Sequence, residues 1–141
     1  MKTLRVFTDG AARGNPGPAG LGVVIEDDGG IRLRGLCRYI GTATNNVAEY
    51  LALIEGLSAV REWNPDQVDV HLDSLLVVEQ MKGRYKVRHE ALQPLHRRAQ
   101  ALVAELPRVT LTHVPREKNR GADALANRAI DEYRTGSAPP A

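Results

Sequence analysis

TLRVFTDGAARGNPGPAGLGVVIED, residues 3–27, contains two apolar stretches separated by a segment rich in glycine and proline. TLRVFT alternates apolar and polar residues and is followed by the acid Asp9, and GLGVVIED is rich in β-branched residues. Both patterns are typical of β-strands, and glycine with proline between them is typical of a turn. This stretch therefore predicts two antiparallel strands, with Asp9 as the last residue before the turn.

Outward from this pair, the sequence predicts three more strands and four helices. IRLRGLCRYIG continues the antiparallel arrangement, and Val47, Leu51, Ile54 and Leu57 recur at helical spacing. Further along the chain, QVDVHLD and RVTLTHV read as strands, and DSLLVVEQMKG, HEALQPLHRRAQALVAEL and GADALANRAIDEY read as helices. Because a strand–helix–strand crossover returns parallel to its first strand, this order predicts an α/β fold with a five-stranded mixed β-sheet flanked by α-helices.

The length and composition of the chain favour a single domain with its own hydrophobic core. A chain of 141 residues with 43% hydrophobic residues is long enough for a single core. We expect residues 1–134 to form that domain and the Pro/Ser/Gly-rich residues 135–141 to be a disordered tail. The single cysteine, Cys37, excludes a disulfide framework and suits the cytoplasm. No window approaches the roughly 20 apolar residues of a membrane span, so we expect no membrane partner.

The small net charge of +2 is unevenly distributed along the chain. Residues 82–98 contain six Lys and Arg against one Glu, a local charge of +5, which leaves −3 for the rest. A cationic segment on an acidic body favours a polyanionic partner, most simply nucleic acid. A solvated helix face is the alternative interpretation.

Four acids stand where a ligand site is expected. Asp9 and Asp73 each follow a strand, and the carboxyl ends of parallel strands are where sites form in α/β sheets. Glu49 lies on the core-facing stripe of its helix, and Asp123 begins the last helix. A turn or cap role for an acid after a strand, above all for Asp73, and stabilisation of the helix dipole by Glu49 and by Asp123 are the alternatives.

Convergence of these acids would require a cation to neutralise them. With only oxygen ligands, the natural choice is a hard divalent ion, Mg²⁺ or Mn²⁺. Two such ions bridged by carboxylates would activate water and stabilise the leaving oxygen in phosphodiester cleavage.

Four segments together resemble type 1 ribonuclease H, from about Arg5 to Tyr133. They are TDGAARGNPGPAG at 8–20, TNNVAEYLAL at 44–53, LDS at 72–74 and HVPREKNRGADALAN at 113–127. The resemblance implies cleavage of the RNA strand of RNA–DNA hybrids, with 5′-phosphate and 3′-hydroxyl ends. It also implies two Mg²⁺ ions, replaceable by Mn²⁺, held by the metal-binding and catalytic carboxylates Asp9, Glu49, Asp73 and Asp123.

The resemblance also implies a set of substrate contacts. Asn15 and Asn46 resemble minor-groove contacts that sense the RNA 2′-hydroxyl, and Thr44 resembles a contact to a DNA phosphate. We include Asn45 in the same substrate-binding set. The glycines after Asp9 are interpreted as room for close approach of a nucleic-acid strand. The cationic residues expected to contact phosphate are Lys82, Arg84 and Lys86.

Two departures from the family pattern affect substrate recognition. Leu75 replaces the Gln that follows the Asp-Ser pair in well-studied bacterial relatives. KGRYKVRHEALQPLHRR is also too short for the basic protrusion of those relatives, and so resembles the protrusion-lacking branch. We expect weaker hybrid binding or looser selectivity among RNA-containing duplexes.

The resemblance also implies a catalytic residue that assists product release, and two residues before Asp123 in the sequence are candidates for this role. His113 ends an apolar strand, where a structural role is the alternative. Arg116 lies in the loop that enters the last helix and is favoured because it is better placed to reach phosphate.

The sequence thus predicts a monomeric, cytoplasmic, metal-dependent endoribonuclease. One rival is a catalytically weak nucleic-acid-binding module, and the four acids argue against it. The other is a different phosphoryl-transfer enzyme of the same fold. Asn15, Thr44 and Asn46 favour the hybrid nuclease over that rival.

Overall fold

The structure is a computed structural model that describes residues 2–134. The predicted tail, residues 135–141, lies outside the described residues. The elements follow in the order β1 (Thr3–Ala12), β2 (Gly17–Asp27), β3 (Arg32–Ala43), α1 (Asn45–Ala59), β4 (Gln67–Leu72), α2 (Leu75–Met81), α3 (Gln93–Glu105), β5 (Val109–His113) and α4 (Arg120–Arg134). Short 3₁₀ turns at Val60–Trp63 and Arg116–Lys118 complete them.

The five strands form one mixed sheet in the order β3-β2-β1-β4-β5. β1, β2 and β3 make an antiparallel meander, while β4 pairs parallel with β1 and β5 pairs parallel with β4. The predicted α/β fold is confirmed, because α1 carries the chain across the sheet and returns it parallel to β1.

Helices cover both faces of the sheet. Gly56 of α1 lies against Val6 and Thr8, whereas α4 lies against Gly20 and Gly22 of β2. The core consists mainly of Val, Leu and Ile side chains from the strands, packed against α1 with contributions from α2 and α3. At 0% exposure, Leu53 and Leu57 anchor α1 on the sheet, as their helical spacing predicts.

β1 extends further than the sequence pattern indicates. Its pairing with β4 stops at Thr8, but its antiparallel pairing with β2 continues to Ala12, and Asp9 itself pairs with Gly22. The prediction that Asp9 is the last residue of the strand is therefore wrong. The antiparallel partner supplies hydrogen bonds beyond the point where the apolar pattern ends, and the connection shortens to residues 13–16.

The glycines around this connection allow helices to approach the sheet. A Cβ on Gly10 would overlap the backbone of Ala48 in α1, and a Cβ on Gly22 would overlap the carbonyl oxygen of Ala122 in α4. Gly14 differs, because its φ of +109° is a conformation that suits glycine. Helix packing thus explains Gly10, which the sequence interpretation assigned to room for a substrate strand.

No helix in residues 2–134 is both long enough and apolar enough to cross a membrane.

Replacing Gly22 with Ala is expected to destabilise the protein by about 1–3 kcal/mol, because the added methyl group meets rigid backbone of α4. Urea unfolding measures the change. Gly29→Ala is the matched control, since the nearest atom to its Cβ is a side-chain oxygen of Asp27 at an ordinary 3.4 Å. Equal unfolding midpoints for the two variants would show that α4 can move away from β2 without cost.

Candidate active site

The strand register brings the first two acids together. The β1–β4 ladder ends at the pair Thr8–Leu72, so Asp9 and Asp73 are the next residues on two adjacent parallel strands. Asp73 leaves its carboxylate free of the helix that follows, because the hydroxyl of Ser74 accepts from the backbone N–H of Val77 and caps α2. The alternative role of Asp73 as a helix cap is therefore excluded.

Glu49 reaches the same place from α1. The helix begins where the Thr44 hydroxyl accepts from the N–H of Val47 at 3.2 Å. One turn later, the Glu49 carboxylate accepts a short hydrogen bond from the backbone N–H of Gly10. Carboxylate oxygens of Asp9, Glu49 and Asp73 lie within 4.8 Å of one another.

Asp123 approaches from the other face of the sheet. The buried amide of Asn119 donates to the carbonyl oxygen of Thr8 at 2.9 Å, which ties the start of α4 to β1. Asp123 follows in the first turn of α4, where it raises the pKa of Asp9 and lines the same cleft. It does not belong to the compact group formed by the other three acids, whose ligand oxygens lie within 4.8 Å of one another.

Burial and repulsion both disfavour negative charge in this group. Asp9 is 5% exposed and Glu49 is 8% exposed. Burial raises the pKa of Asp9 far above its ordinary value, and the charges of Glu49 and Asp73 raise it further. Burial also raises the pKa of Glu49, although the N–H of Gly10 opposes this shift. Without a cation, the pair therefore retains protons well above pH 4.

The acids form the floor of an open cleft of about 450 Å³. Its walls come from the end of β1, the start of α1, the 3₁₀ turn before α4, and α4 itself. The lining residues are Asp9, Gly10, Ala11, Ala12, Arg13, Asn45, Asn46, Glu49, Asp73, Ser74, Arg116, Asp123 and Asn127.

Comparison with known proteins identifies the family. Residues 7–129 match the family model described as reverse transcriptase-like. Bifunctional protein Rv2228c of Mycobacterium tuberculosis is 47% identical over 132 residues, which cover 93% of this chain and 36% of that protein. Ribonuclease H of Paracidovorax citrulli is 36% identical, over 94% of this chain and 97% of that protein. The chain belongs to the ribonuclease H family.

Solved structures of the ribonuclease H family agree in fold. LC11-RNase H1, solved in complex with an RNA/DNA hybrid, matches with a TM-score of 0.89 and 44% identity, over 93% of this chain and 99% of that one. The chain spans only about a third of the mycobacterial relative, so that protein is much longer than the part it shares with this chain. The predicted family membership is confirmed.

In this family member, the residues predicted to bind substrate separate into two groups. Asn45 and Asn46 line the cleft, whereas Asn15 and Thr44 lie outside its lining. The Asn15 side chain accepts from the backbone N–H of Asn45 at 3.0 Å, and Asn45 in turn accepts from the N–H of Ala12 at 3.2 Å. These bonds join the connection after β1 to the start of α1.

The product-release candidates also separate. Arg116 is exposed and lines the cleft, but His113 is not among the lining residues. His113 is exposed, and its side chain makes no hydrogen bond or ion pair with any residue in 2–134. The contacts that would satisfy a structural histidine are therefore absent within residues 2–134. β5 is one of the two edge strands of the sheet, and its last residue faces solvent despite the apolar pattern before it.

Lys82, Arg84 and Lys86 lie outside the cleft lining, on the exposed connection from α2 to α3. The connection is nevertheless anchored. Buried Gln80 accepts from the Tyr50 hydroxyl at 2.7 Å and donates to the carbonyl oxygen of Lys86 at 3.3 Å. Because Tyr50 follows Glu49 in α1, the basic connection is held against the same helix that carries an active-site acid.

The sequence interpretation did not identify three residues that line the cleft or hold its elements together. They are Arg13, Asn119 and Asn127. Asn119 and Asn127 flank Asp123 at four residues on either side, which is the spacing of about one helical turn, although α4 itself begins only at Arg120. That spacing is the feature of the sequence from which these two residues could have been identified. Arg13 offers none, because its partners are more than a hundred residues away.

Asp9→Asn is expected to raise stability without metal at pH 7 by about 1–3 kcal/mol, because the folded wild type must hold a proton on Asp9 or bear its buried charge against the repulsion of Glu49 and Asp73. A raised folded-state pKa means that the folded protein holds more protons than the unfolded chain above about pH 4, so wild-type stability falls as pH rises. The substitution should flatten that fall. Thermal unfolding in EDTA from pH 5 to pH 8 measures it, and a parallel fall in both proteins would contradict the repulsion.

Proposed function

We propose that this chain is an endoribonuclease that hydrolyses the RNA strand of RNA–DNA hybrids. The observation that carries the proposal is the convergence of Asp9, Glu49 and Asp73 in an open cleft that Asp123 also lines. The likeness to LC11-RNase H1, whose solved complex contains a hybrid, supports the substrate class. The products are a 5′-phosphate and a 3′-hydroxyl end.

The donor set fits two Mg²⁺ ions, with Mn²⁺ as a substitute. The described ligands of the group are all carboxylate oxygens, which hard divalent cations prefer. Burial and mutual repulsion make the group costly to ionise unless cations neutralise it. Such ions supply an activated water and stabilise the leaving oxygen. Asp9, Glu49, Asp73 and Asp123 would hold them, and Asp9 is central because it interacts with the other three.

The protein's other residues bind and orient the duplex. Asn46, exposed at the cleft wall, is suited to hydrogen bonding in the minor groove, where the 2′-hydroxyl distinguishes RNA from DNA. Asn15 supports the backbone beside it and contributes its free amide hydrogens, and Asn45 joins the two. Thr44 offers its hydroxyl proton to a DNA phosphate while its oxygen caps α1.

Positively charged side chains contact the duplex at two places, one beside the acids and one farther away. Arg116 lines the cleft and approaches the scissile phosphate, where its charge assists departure of the product. Lys82, Arg84 and Lys86 contact phosphates farther along the duplex, and the Gln80 anchor holds their segment in place. Arg84 shares its charge with Glu79 at 3.2 Å, so it contributes less than the two lysines.

We also propose how the protein is organised and where it works. Residues 1–134 form the catalytic domain, and one chain suffices as a monomer because it supplies all four acids. The free thiol of Cys37 suits the reducing cytoplasm.

Asp9→Asn and Asp73→Asn are expected to lower hybrid cleavage by about a thousandfold or more, because each removes a carboxylate that the cations require. Labelled hybrid, double-stranded RNA and double-stranded DNA are each incubated with Mg²⁺, Mn²⁺ or EDTA. Asp69→Asn is the control, since Asp69 lies on β4 but outside the cleft lining.

The same assay separates the rivals. Binding of hybrid by the wild type without cleavage in either metal would favour a binding module, and cleavage of DNA in preference to RNA would favour another phosphoryl-transfer enzyme.

Arg116→Ala is expected to lower turnover at saturating hybrid at least about tenfold, a barrier increase of about 1.4 kcal/mol. Arg116→Lys should keep part of the activity, since lysine retains the cation but loses the planar fork. His113→Ala should change the free energy of unfolding by less than about 0.5 kcal/mol, because the side chain is exposed. Loss of turnover in His113→Ala with normal turnover in Arg116→Ala would reverse the two assignments.

A further inference from the structure

Three side chains lead from the outer surface of α4 to the carboxylate of Asp123. Arg13, the first residue after β1, donates from Nη1 to Asp131 at 2.7 Å. Its Nη2 lies 3.3 Å from Oδ1 and 3.4 Å from the carbonyl oxygen of Asn127. Nδ2 of Asn127 donates to Asp123, at 3.0 Å to the carbonyl oxygen and 3.3 Å to Oδ1.

The chemistry of these groups allows only one orientation of the Asn127 amide. A guanidinium group has donors and no acceptor, and an ionised carboxylate has acceptors and no donor. The amide oxygen must therefore face Arg13, which leaves the amide nitrogen to face Asp123. Rotating the amide by 180° would set oxygen against oxygen at Asp123 and N–H against N–H at Arg13. Arg13 on one side and the two oxygens of Asp123 on the other therefore hold the amide in the orientation that presents a donor to Asp123.

Arg13 can hold the Asn127 amide in this orientation because its own guanidinium group is held in position. The ion pair with Asp131 occupies one nitrogen, and the planar fork then directs the other nitrogen at Asn127. Asp131 is 62% exposed, whereas Arg13 is 33% exposed. The ion pair is therefore partly screened by solvent, and the hydrogen bonds made by Arg13 to Asn127 are the more protected part of the arrangement.

Asp123 is the acid that most needs such support. Asp9, Glu49 and Asp73 form the compact group, and the strand register and the Gly10 N–H hold them. Asp123 comes from α4, on the other face of the sheet. Arg13 also connects the β1–β2 turn with α4, and both elements form walls of the cleft.

We propose that Arg13, Asn127 and Asp131 are positioning residues that orient the Asp123 carboxylate for cation binding. The inference rests on the proposed function, in which Asp123 shares in holding the metal. Groups that orient a metal ligand commonly change metal affinity about 10- to 100-fold when they are removed. Direct contact of Arg13 with a substrate phosphate is the competing role.

The test measures Mg²⁺ binding to the full chain without nucleic acid, by isothermal titration and by the rise in unfolding temperature with Mg²⁺ concentration. Arg13→Gln and Asn127→Ala are each expected to weaken Mg²⁺ binding on the order of tenfold. Asp131→Asn should have a smaller effect in the same direction. Arg13→Lys should remain defective, because one ammonium group lacks the fork that contacts both partners.

Two comparisons separate positioning from general stability. Arg128→Gln is the matched control, because it removes an arginine of α4 that is paired with Glu132 outside the cleft lining, and its Mg²⁺ affinity should equal that of the wild type. The double variant Arg13→Gln/Asn127→Ala should bind Mg²⁺ no more weakly than the weaker single variant, since both substitutions interrupt one series of contacts. In cleavage assays, these variants should need more Mg²⁺ for half-maximal rate while KM for hybrid at saturating Mg²⁺ stays constant.

Wild-type Mg²⁺ affinity in Arg13→Gln and Asn127→Ala would overturn the proposal. So would unchanged Mg²⁺ binding with a raised KM for hybrid in Arg13→Gln, which would assign Arg13 to phosphate contact. A wild type that binds no Mg²⁺ would overturn it as well. If the wild type binds Mg²⁺ with the expected variant pattern but cleaves no hybrid, the proposed function fails and the positioning role stands.

Discussion

The structure depends on one constraint: three acidic side chains are held close together at a place where two of them have little access to water. Carboxylate oxygens of Asp9, Glu49 and Asp73 lie within 4.8 Å of one another, and a pair of charges about 5 Å apart repels by roughly 3 kcal/mol at an effective dielectric of 20. Side chains free to move would separate. Here the acids are held by elements that cannot: two strands in parallel register and a helix packed against the sheet.

Close packing of helix against sheet makes that rigidity possible. Gly10 brings the backbone of α1 against β1, and its own N–H then reaches the Glu49 carboxylate. Gly22 does the same for α4, which brings Asp123 to the neighbourhood of Asp9. The missing side chains at these two positions therefore determine how near the acids come to each other. A stretch of sequence that reads as a flexible turn is, for much of its length, a packing surface.

Under the proposed function, the cleft and the basic connection have different electrostatic roles in binding a polyanionic duplex. Acids form the floor of the cleft, so the duplex would approach only where positive charges compensate for them. Arg116 stands at the cleft, and the segment with Lys82 and Lys86 stands outside it, tied through Gln80 to Tyr50 of α1. Leu75 is 48% exposed beside the site, so the position where well-studied relatives carry Gln offers an apolar surface to a ligand. Under the proposed function, affinity for the duplex comes largely from outside the catalytic acids.

The sequence by itself determined the order of strands and helices and the mixed sheet, because hydrophobic periodicity is a local property of the chain. Leu53 and Leu57 are buried as their spacing predicts, and Asp9 and Asp73 follow the last ladder pair of β1 and β4. Only the tertiary structure decided that β1 runs on to Ala12, that His113 is exposed, and that Arg13 reaches Asn127 and Asp131. Each depends on a partner distant in sequence: the hydrogen bonds of β2, the edge position of β5, and the approach of α4. No local pattern records such contacts, since they arise only when the chain has folded.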